Sequence, residues 1–259
     1  MPIPIRTELA GLTALVFMLA WPAASNAGES PSAGDEALAA SIVQKADQVR
    51  FPGEGFEVGI TINTTTSDSA TETRKYRVLS KGNENTVVMT TEPASERGQI
   101  MLLKGHDLWI FLPSVSQPVR LPLAQRLTGA VANGDLARAN FAGDYKPQLL
   151  RTEVVDGEPM HVLELTAIDR SVTYHRVLYW VRKSNNWPYK AEFYSLSERL
   201  LKTCHYQKFE RMAGRMRPTR LTMHDALRAD EESVLEYADM RLRDLPDKIF
   251  TKDYLKRLE

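Results

Sequence analysis

The chain has 259 residues, 43% of them hydrophobic, with 33 lysines and arginines against 33 aspartates and glutamates. A formal net charge of zero lacks the basic excess with which proteins hold nucleic acid or an anionic membrane surface. A single cysteine, Cys204, excludes an internal disulfide, so stability has to come from a packed core.

In chain order, the first pattern is an export signal. Met1 and Arg6 stand against Glu8, an apolar stretch runs from Leu9 to Trp21, and Ser25-Asn26-Ala27 precedes Gly28. A short positive start, an apolar run and a small-residue site predict a signal peptide over residues 1–27, cleaved near Ala27. The alternative, a membrane anchor, needs ~20 apolar residues, and here Pro22 and a polar segment follow too soon. No cysteine sits at the cleavage site to take a lipid, and no later stretch is long and apolar enough to span a bilayer.

Residues 28–34 are rich in Gly, Ser and Pro and are expected to be flexible. A single domain is expected over residues 35–259. Asp35 to Val49 reads as an amphipathic helix, with Leu38, Ile42, Ala46 and Val49 on one face and Asp35 able to cap its start. From Phe56 the period changes to two: Phe56, Val58, Ile60 and Ile62 alternate with Glu57, Gly59, Thr61 and Asn63. Further strands are predicted over 75–79, 85–90, 99–103, 108–112 and 119–121. Turn signals at Lys81-Gly82-Asn83, Pro93 and Lys104-Gly105-His106-Asp107 separate them. Such close spacing leaves no room for crossover helices, so neighbours pair antiparallel.

The pattern breaks over residues 122–145. Leu123, Leu127 and Val131 at i, i+4 and i+8 predict a short helix, followed by a long loop. Strands resume over 151–155, 160–168, 175–181, 189–196, 200–210, 216–225 and 234–242, and a short helix is expected over 251–258. About a dozen antiparallel strands with no linker between them predict a mainly β (α+β) fold: one large curved antiparallel sheet, with a leading helix and a helical insertion. The runs 99–103 and 108–112 are apolar on both faces. Simple alternation puts Ile100, Leu102, Leu108, Ile110 and Leu112 on one side and Met101, Leu103, Trp109 and Phe111 on the other. Residues of this kind either pack as core or wall an apolar cavity.

Chemistry-bearing motifs are absent from the sequence: no G-x-S-x-G, H-E-x-x-H, C-x-x-C, Walker loop or G-x-G-x-x-G. Cys204 and His205 are strand neighbours that point to opposite faces, and His161, His175 and His224 fall on separate strands. The expectation is therefore a protein that is not an enzyme and needs no cofactor or metal.

The stretch Arg97-Gly98-Gln99-Ile100-Met101-Leu102-Leu103-Lys104-Gly105-His106-Asp107-Leu108-Trp109-Ile110-Phe111-Leu112-Pro113 carries a resemblance, together with Arg120-Leu121-Pro122-Leu123, Asn133-Gly134-Asp135-Leu136-Ala137-Arg138, Asp144-Tyr145 and Phe250-Thr251-Lys252-Asp253-Tyr254-Leu255. In that order these motifs resemble the outer membrane lipoprotein-sorting family of LolA-like periplasmic carriers. The resemblance implies an open half-barrel whose concave face is covered by a helical lid, with a cavity between them for acyl chains. On that reading Phe56, Val58, Ile60, Met89, Met101 and Leu103 line the cavity, with Trp109, Phe111, Tyr179 and Phe193. Leu123, Leu127 and Val131 form the lid face, and Arg97 holds the lid closed. The implied function is a periplasmic carrier that shields lipid or lipoprotein acyl chains between an inner-membrane transporter and an outer-membrane acceptor. The alternative is an envelope sensor that detects such lipids and signals to a protein partner.

Overall fold

The computed structural model describes Met1 and residues 32–255, save 83, 116 and 139. The expected signal and most of the flexible segment lie outside the described residues. So does the end of the expected last helix.

The leading helix, α1, spans Ala33–Arg50. Its N-cap is Ser32 rather than Asp35: the Ser32 hydroxyl accepts from Asp35 N at 3.2 Å and donates to the Asp35 carboxylate at 2.9 Å. The buried stripe is Ala39, Ile42, Val43, Ala46, Asp47 and Arg50, while Leu38 is exposed. This is a 3.6-residue stripe turned slightly from the predicted one, and it includes two charged residues.

Thirteen strands form one antiparallel sheet. The first six are β1 (Phe56–Thr66), β2 (Ser69–Lys81), β3 (Asn85–Glu92), β4 (Ile100–Lys104), β5 (Asp107–Phe111) and β6 (Val119–Leu121). They run as a meander from the middle of the sheet to one edge. The chain then leaves the sheet and re-enters at the far edge with β9 (Tyr145–Val155). It meanders back through β10 (Glu158–Ala167), β11 (Arg176–Arg182), β12 (Pro188–Tyr194), β13 (Leu200–Met212), β14 (Arg215–Asp225) and β15 (Glu232–Leu242). β15 closes the order by pairing with β1, so β6 and β9 are the two free edges and the sheet is not closed into a barrel.

This topology explains the insertion. To pass from the edge strand β6 to the edge strand β9, residues 122–144 must cross a face of the sheet. They cross the same face that α1 covers: α1 packs on β9, β12 and β14, and the crossing segment packs on α1 and β3. The predicted helix over Leu123–Val131 is not formed. In its place stands a two-stranded hairpin, β7 (Arg126–Thr128) with β8 (Val131–Ala132), followed by the one-turn helices α2 (Asn133–Ala137) and α3 (Phe141–Asp144). Gly129 turns the hairpin at φ 49°, a conformation that breaks a right-handed helix.

The inner face of the sheet, α1 and the crossing segment share one core that includes Val58, Ile62, Leu103, Leu163, Tyr179 and Leu235. On the outer face, Leu79, Val87, Met89, Ile100, Leu102 and Phe111 are covered by the chain end. That end comprises a 3-10 turn at Asp247–Phe250 and the helix α4 (Lys252–Leu255), which bring Leu245, Phe250 and Leu255 down on the strands. The doubly apolar strands are thus covered twice, by different segments.

Candidate functional site beneath the crossing segment

The expected cavity residues divide between the two faces. Phe56, Val58, Ile60, Met101, Leu103, Tyr179 and Phe193 all lie in the inner core, and all are buried. Met89, Trp109 and Phe111 lie on the outer face, under the chain end, where the Lys252 ammonium sits 4.1 Å from the Trp109 ring centre. The side assignment from simple alternation is corrected by the β4–β5 turn. Lys104 pairs with Asp107 around the two residues Gly105-His106, so even-numbered positions of one strand face odd-numbered positions of the other. Met101 therefore shares a face with Ile110 and Leu103 with Leu108, while Leu102 faces Trp109 and Ile100 faces Phe111.

Of the expected lid face, Leu123 and Val131 are buried in the inner core and Leu127 packs against it half-buried. Arg97 is exposed, and its Nε donates to Thr91 O at 3.2 Å, at the end of β3.

Other side chains tie the crossing segment down. At the rim, Arg126 donates to Asp225 and to Glu231, each at 2.5 Å. Ser233 Oγ accepts from Ala130 N at 3.0 Å. Deeper in, Lys202 donates to Ala130 O at 3.0 Å and pairs with Asp135, which also accepts from the Tyr174 hydroxyl at 2.9 Å and from Ala132 N at 2.7 Å. At the other end Arg138 pairs with Asp144 and donates to Gly105 O at 2.8 Å, and His106 Nε2 meets Asp144 at 3.1 Å. Two glycines permit the close approach. A Cβ on Gly129 would lie 2.2 Å from Ser233 Oγ, and one on Gly134 would lie 1.9 Å from Thr173 Oγ1.

Sequence spacing could not find these ties, because Arg126 lies 99 and 105 residues from its partners and Lys202 lies 67 residues from Asp135. A weaker signal was present. Lys202 stands in register with Cys204 and Tyr206 on an otherwise apolar strand face, and Asp47 and Arg50 fall in the apolar stripe of α1.

Between the crossing segment, the end of α1 and strands β12–β15 remains a cavity of about 30 Å3, room for one or two waters. Its polar lining is Arg50, Arg138, Asp135, Asp144, Thr173 and the hydroxyls of Tyr145, Tyr174, Tyr206 and Tyr237, and Phe51, Phe141 and Phe193 are among its apolar walls. A second, mainly apolar cavity of about 10 Å3 shares Phe51 with it and is bounded by Phe56, Val58, Ile60, Val78 and Leu136 and by Ser80 and Thr86, whose hydroxyls bond each other at 3.0 Å. Burial raises the tyrosine hydroxyls at Tyr145, Tyr174, Tyr206 and Tyr237 well above their ordinary range. It pushes the Cys204 thiol up to about 12, so that thiol is no nucleophile. Burial also pushes the Asp47 carboxyl up to about 6, against the opposing pull of Arg50.

The histidines do not converge. His224 faces Glu232 at 3.6 Å on the outer side of the sheet, its ring 6.5 Å from that of His205. His161 pairs with Val181 on β11, and His175 precedes that strand. Among the described residues no group of three or more His, Cys, Asp or Glu is placed to hold a metal, and no helix is long and apolar enough to cross a membrane.

A family model described as an uncharacterized protein matches residues 82–257. No curated protein matches the chain. Among solved structures, a LolA superfamily protein from Nitrosomonas europaea is 65% identical over 83% of this chain and 98% of its own, with a TM-score of 0.81. A DUF1329 family protein from Desulfovibrio piger, 22% identical over 85% of this chain and 99% of its own, shares the fold with a TM-score of 0.74. So does a putative outer membrane lipoprotein-sorting protein domain from Vibrio parahaemolyticus, 20% identical over 86% of this chain and all of its own, TM-score 0.74. With that level of identity over nearly the whole of the Nitrosomonas protein, the chain belongs to the LolA superfamily.

Proposed function

We propose that the protein is a periplasmic carrier that takes lipid or lipoprotein acyl chains onto the inner face of its sheet, beneath the crossing segment acting as a lid. The observation that carries this reading is how the lid is held. Its hairpin pairs only with itself, and it is fixed to the rim by side-chain ties such as Arg126 to Asp225 and Glu231 rather than by sheet ladders. Arg126 is half-exposed, so water can take over its ties at the rim, while the buried Lys202–Asp135 and Arg138–Asp144 pairs set the larger part of the cost of lifting the segment. Beneath them lie Val58, Ile60, Met101, Leu103 and Phe193, an apolar surface of the kind acyl chains require.

A carrier is needed because of the cost of the bare cargo. Each acyl CH₂ in water costs ~0.8 kcal/mol, so a chain of ~16 carbons costs on the order of 10 kcal/mol to expose. The two cavities, about 30 and 10 Å3, are too small for an acyl chain, so loading requires the lid to lift and its apolar contacts to be exchanged for contacts with the cargo. Delivery from an inner-membrane transporter to an outer-membrane acceptor, after removal of the signal, is part of the same proposal.

The test is to isolate the protein from its own cells and analyse an organic extract by mass spectrometry. A lipid or acylated peptide at near-stoichiometric amount is expected. An extract without lipid, from a protein that also fails to bind acyl probes, would sink the proposal.

A further inference from the structure

An arginine in an apolar core is costly unless its hydrogen bonds are met. Arg50 is 9% exposed and lines the larger cavity. A guanidinium carries five N–H donors. Among the described residues one of these is engaged, by Asp47 Oδ1 at 3.0 Å, and the Asp47 carboxylate is shared with Ala142 N at 2.8 Å. The rest of the guanidinium lies over the Phe141 ring, 4.1 Å from its centre, and 5.9 Å from that of Tyr206. Arg50 is not needed to close the end of α1, because Arg217 already donates to Gln48 O at 2.8 Å and Val49 O at 3.2 Å.

Phenolic groups gather round the same space, and the two carboxylates that also line it, Asp135 and Asp144, are already paired with Lys202 and Arg138. Tyr206 and Tyr237 line the cavity, and Tyr179, edge-on to Tyr206 at 6.2 Å, has a buried hydroxyl without a partner among the described residues. On the far side stands Phe51, stacked on Phe56 at 5.7 Å and edge-on to Tyr237 at 5.7 Å. Phe51 borders both cavities, so donor groups lie on one side of it and the apolar lobe of Phe56, Val58, Ile60 and Val78 on the other.

We infer that the cargo is an acidic amphiphile: a carboxylate or phosphate head paired with Arg50 among the tyrosines, and an acyl chain running past Phe51 into the Phe56–Val58–Ile60 lobe. Guanidinium donors match the two oxygens of either anion, whereas the oxygens of a neutral glycerol or ester head can accept from them only singly and bring no charge to pair. The inference rests on the carrier reading and narrows it to a class of lipid.

The test compares three probes with the same 16-carbon chain on the mature protein: palmitate, palmitoyl lysophosphatidate and monopalmitoylglycerol. Binding is read by displacement of a fluorescent acyl reporter, with inorganic phosphate as a chain-free control. The two acidic probes are expected to bind at least tenfold more tightly than the neutral one, and phosphate alone should not displace the reporter. In Arg50→Gln the acid-to-neutral ratio should fall to near one. Should that variant not fold, Arg50→Lys and the isosteric pair Tyr206→Phe with Tyr237→Phe supply the answer, since each should lower the ratio severalfold with an unchanged thermal melt. Equal binding of all three probes, or a ratio untouched by these substitutions, overturns the inference and leaves the carrier reading standing. Failure of every probe to bind overturns the carrier reading itself.

Discussion

At the scale of single residues, the inner face is defined as much by buried charges as by apolar side chains. Lys202 and Asp135 are each less than a tenth exposed, and removing one strands the other without a counter-ion. Lys202→Met should cost roughly 3–5 kcal/mol in urea unfolding, and adding Asp135→Leu should recover much of it. If the double variant is no more stable than the single one, the pair is not coupled as described. Gly134→Ala tests the close approach to Thr173 and should cost ~1–3 kcal/mol, with Thr173→Ala, which removes Oγ1, relieving part of the strain.

Asp47 makes stability depend on pH in a definite direction. Its folded carboxyl, at about 6, holds a proton that the unfolded chain has already lost near pH 4. The contribution is fully present below pH 4 and is lost as pH rises through about 6. The stability difference between wild type and Asp47→Asn should therefore shrink by up to roughly 3 kcal/mol between pH 4 and 7 and stay level above that. Parallel curves for the two proteins would contradict the burial of this carboxyl.

At the scale of elements, period-two alternation made strands such as β1 and β13 legible, because one face is packed and the other is wetter, whereas β3 and β4 are buried on both faces. The leading helix was legible too, although its buried stripe includes Asp47 and Arg50, which a purely apolar reading passes over. The lid was not legible as a hairpin. Leu123, Leu127 and Val131 have helical spacing, but Gly129 at positive φ and the reach of Arg126 to Asp225 and Glu231 decide the local structure from outside the segment. The face of Met89, Trp109 and Phe111 was hidden for a similar reason, since the even-length β4–β5 turn and the chain end that covers these residues are tertiary facts. The chain end carries its own prediction. Truncation after Asp244 removes Leu245, Phe250 and Leu255, each contributing roughly 1.5–3 kcal/mol by burial, and uncovers the outer faces of β2–β5. The truncated protein should bind an apolar dye and aggregate. A stable, dye-silent truncation would show that this cover is dispensable.

At the scale of the whole molecule, the proposed carrier function rests on one topological fact: two meanders joined at β1–β15 leave their free edges far apart in the strand order, and the chain linking those edges crosses the inner face. The lid is that link, tethered at both ends and held between them by side chains. The central claim is that it must lift for cargo to enter, and a reversible lock tests this most directly. Ala130→Cys with Ser233→Cys puts one cysteine on each side of the contact that Ala130 N makes with Ser233 Oγ, with formation of the bond verified by loss of free thiol, while Cys204 stays buried and unreactive. Acyl-probe binding to this variant is measured oxidised and then reduced. The account predicts at least a tenfold loss of binding in the oxidised protein and full recovery on reduction. Equal binding in both states would contradict it.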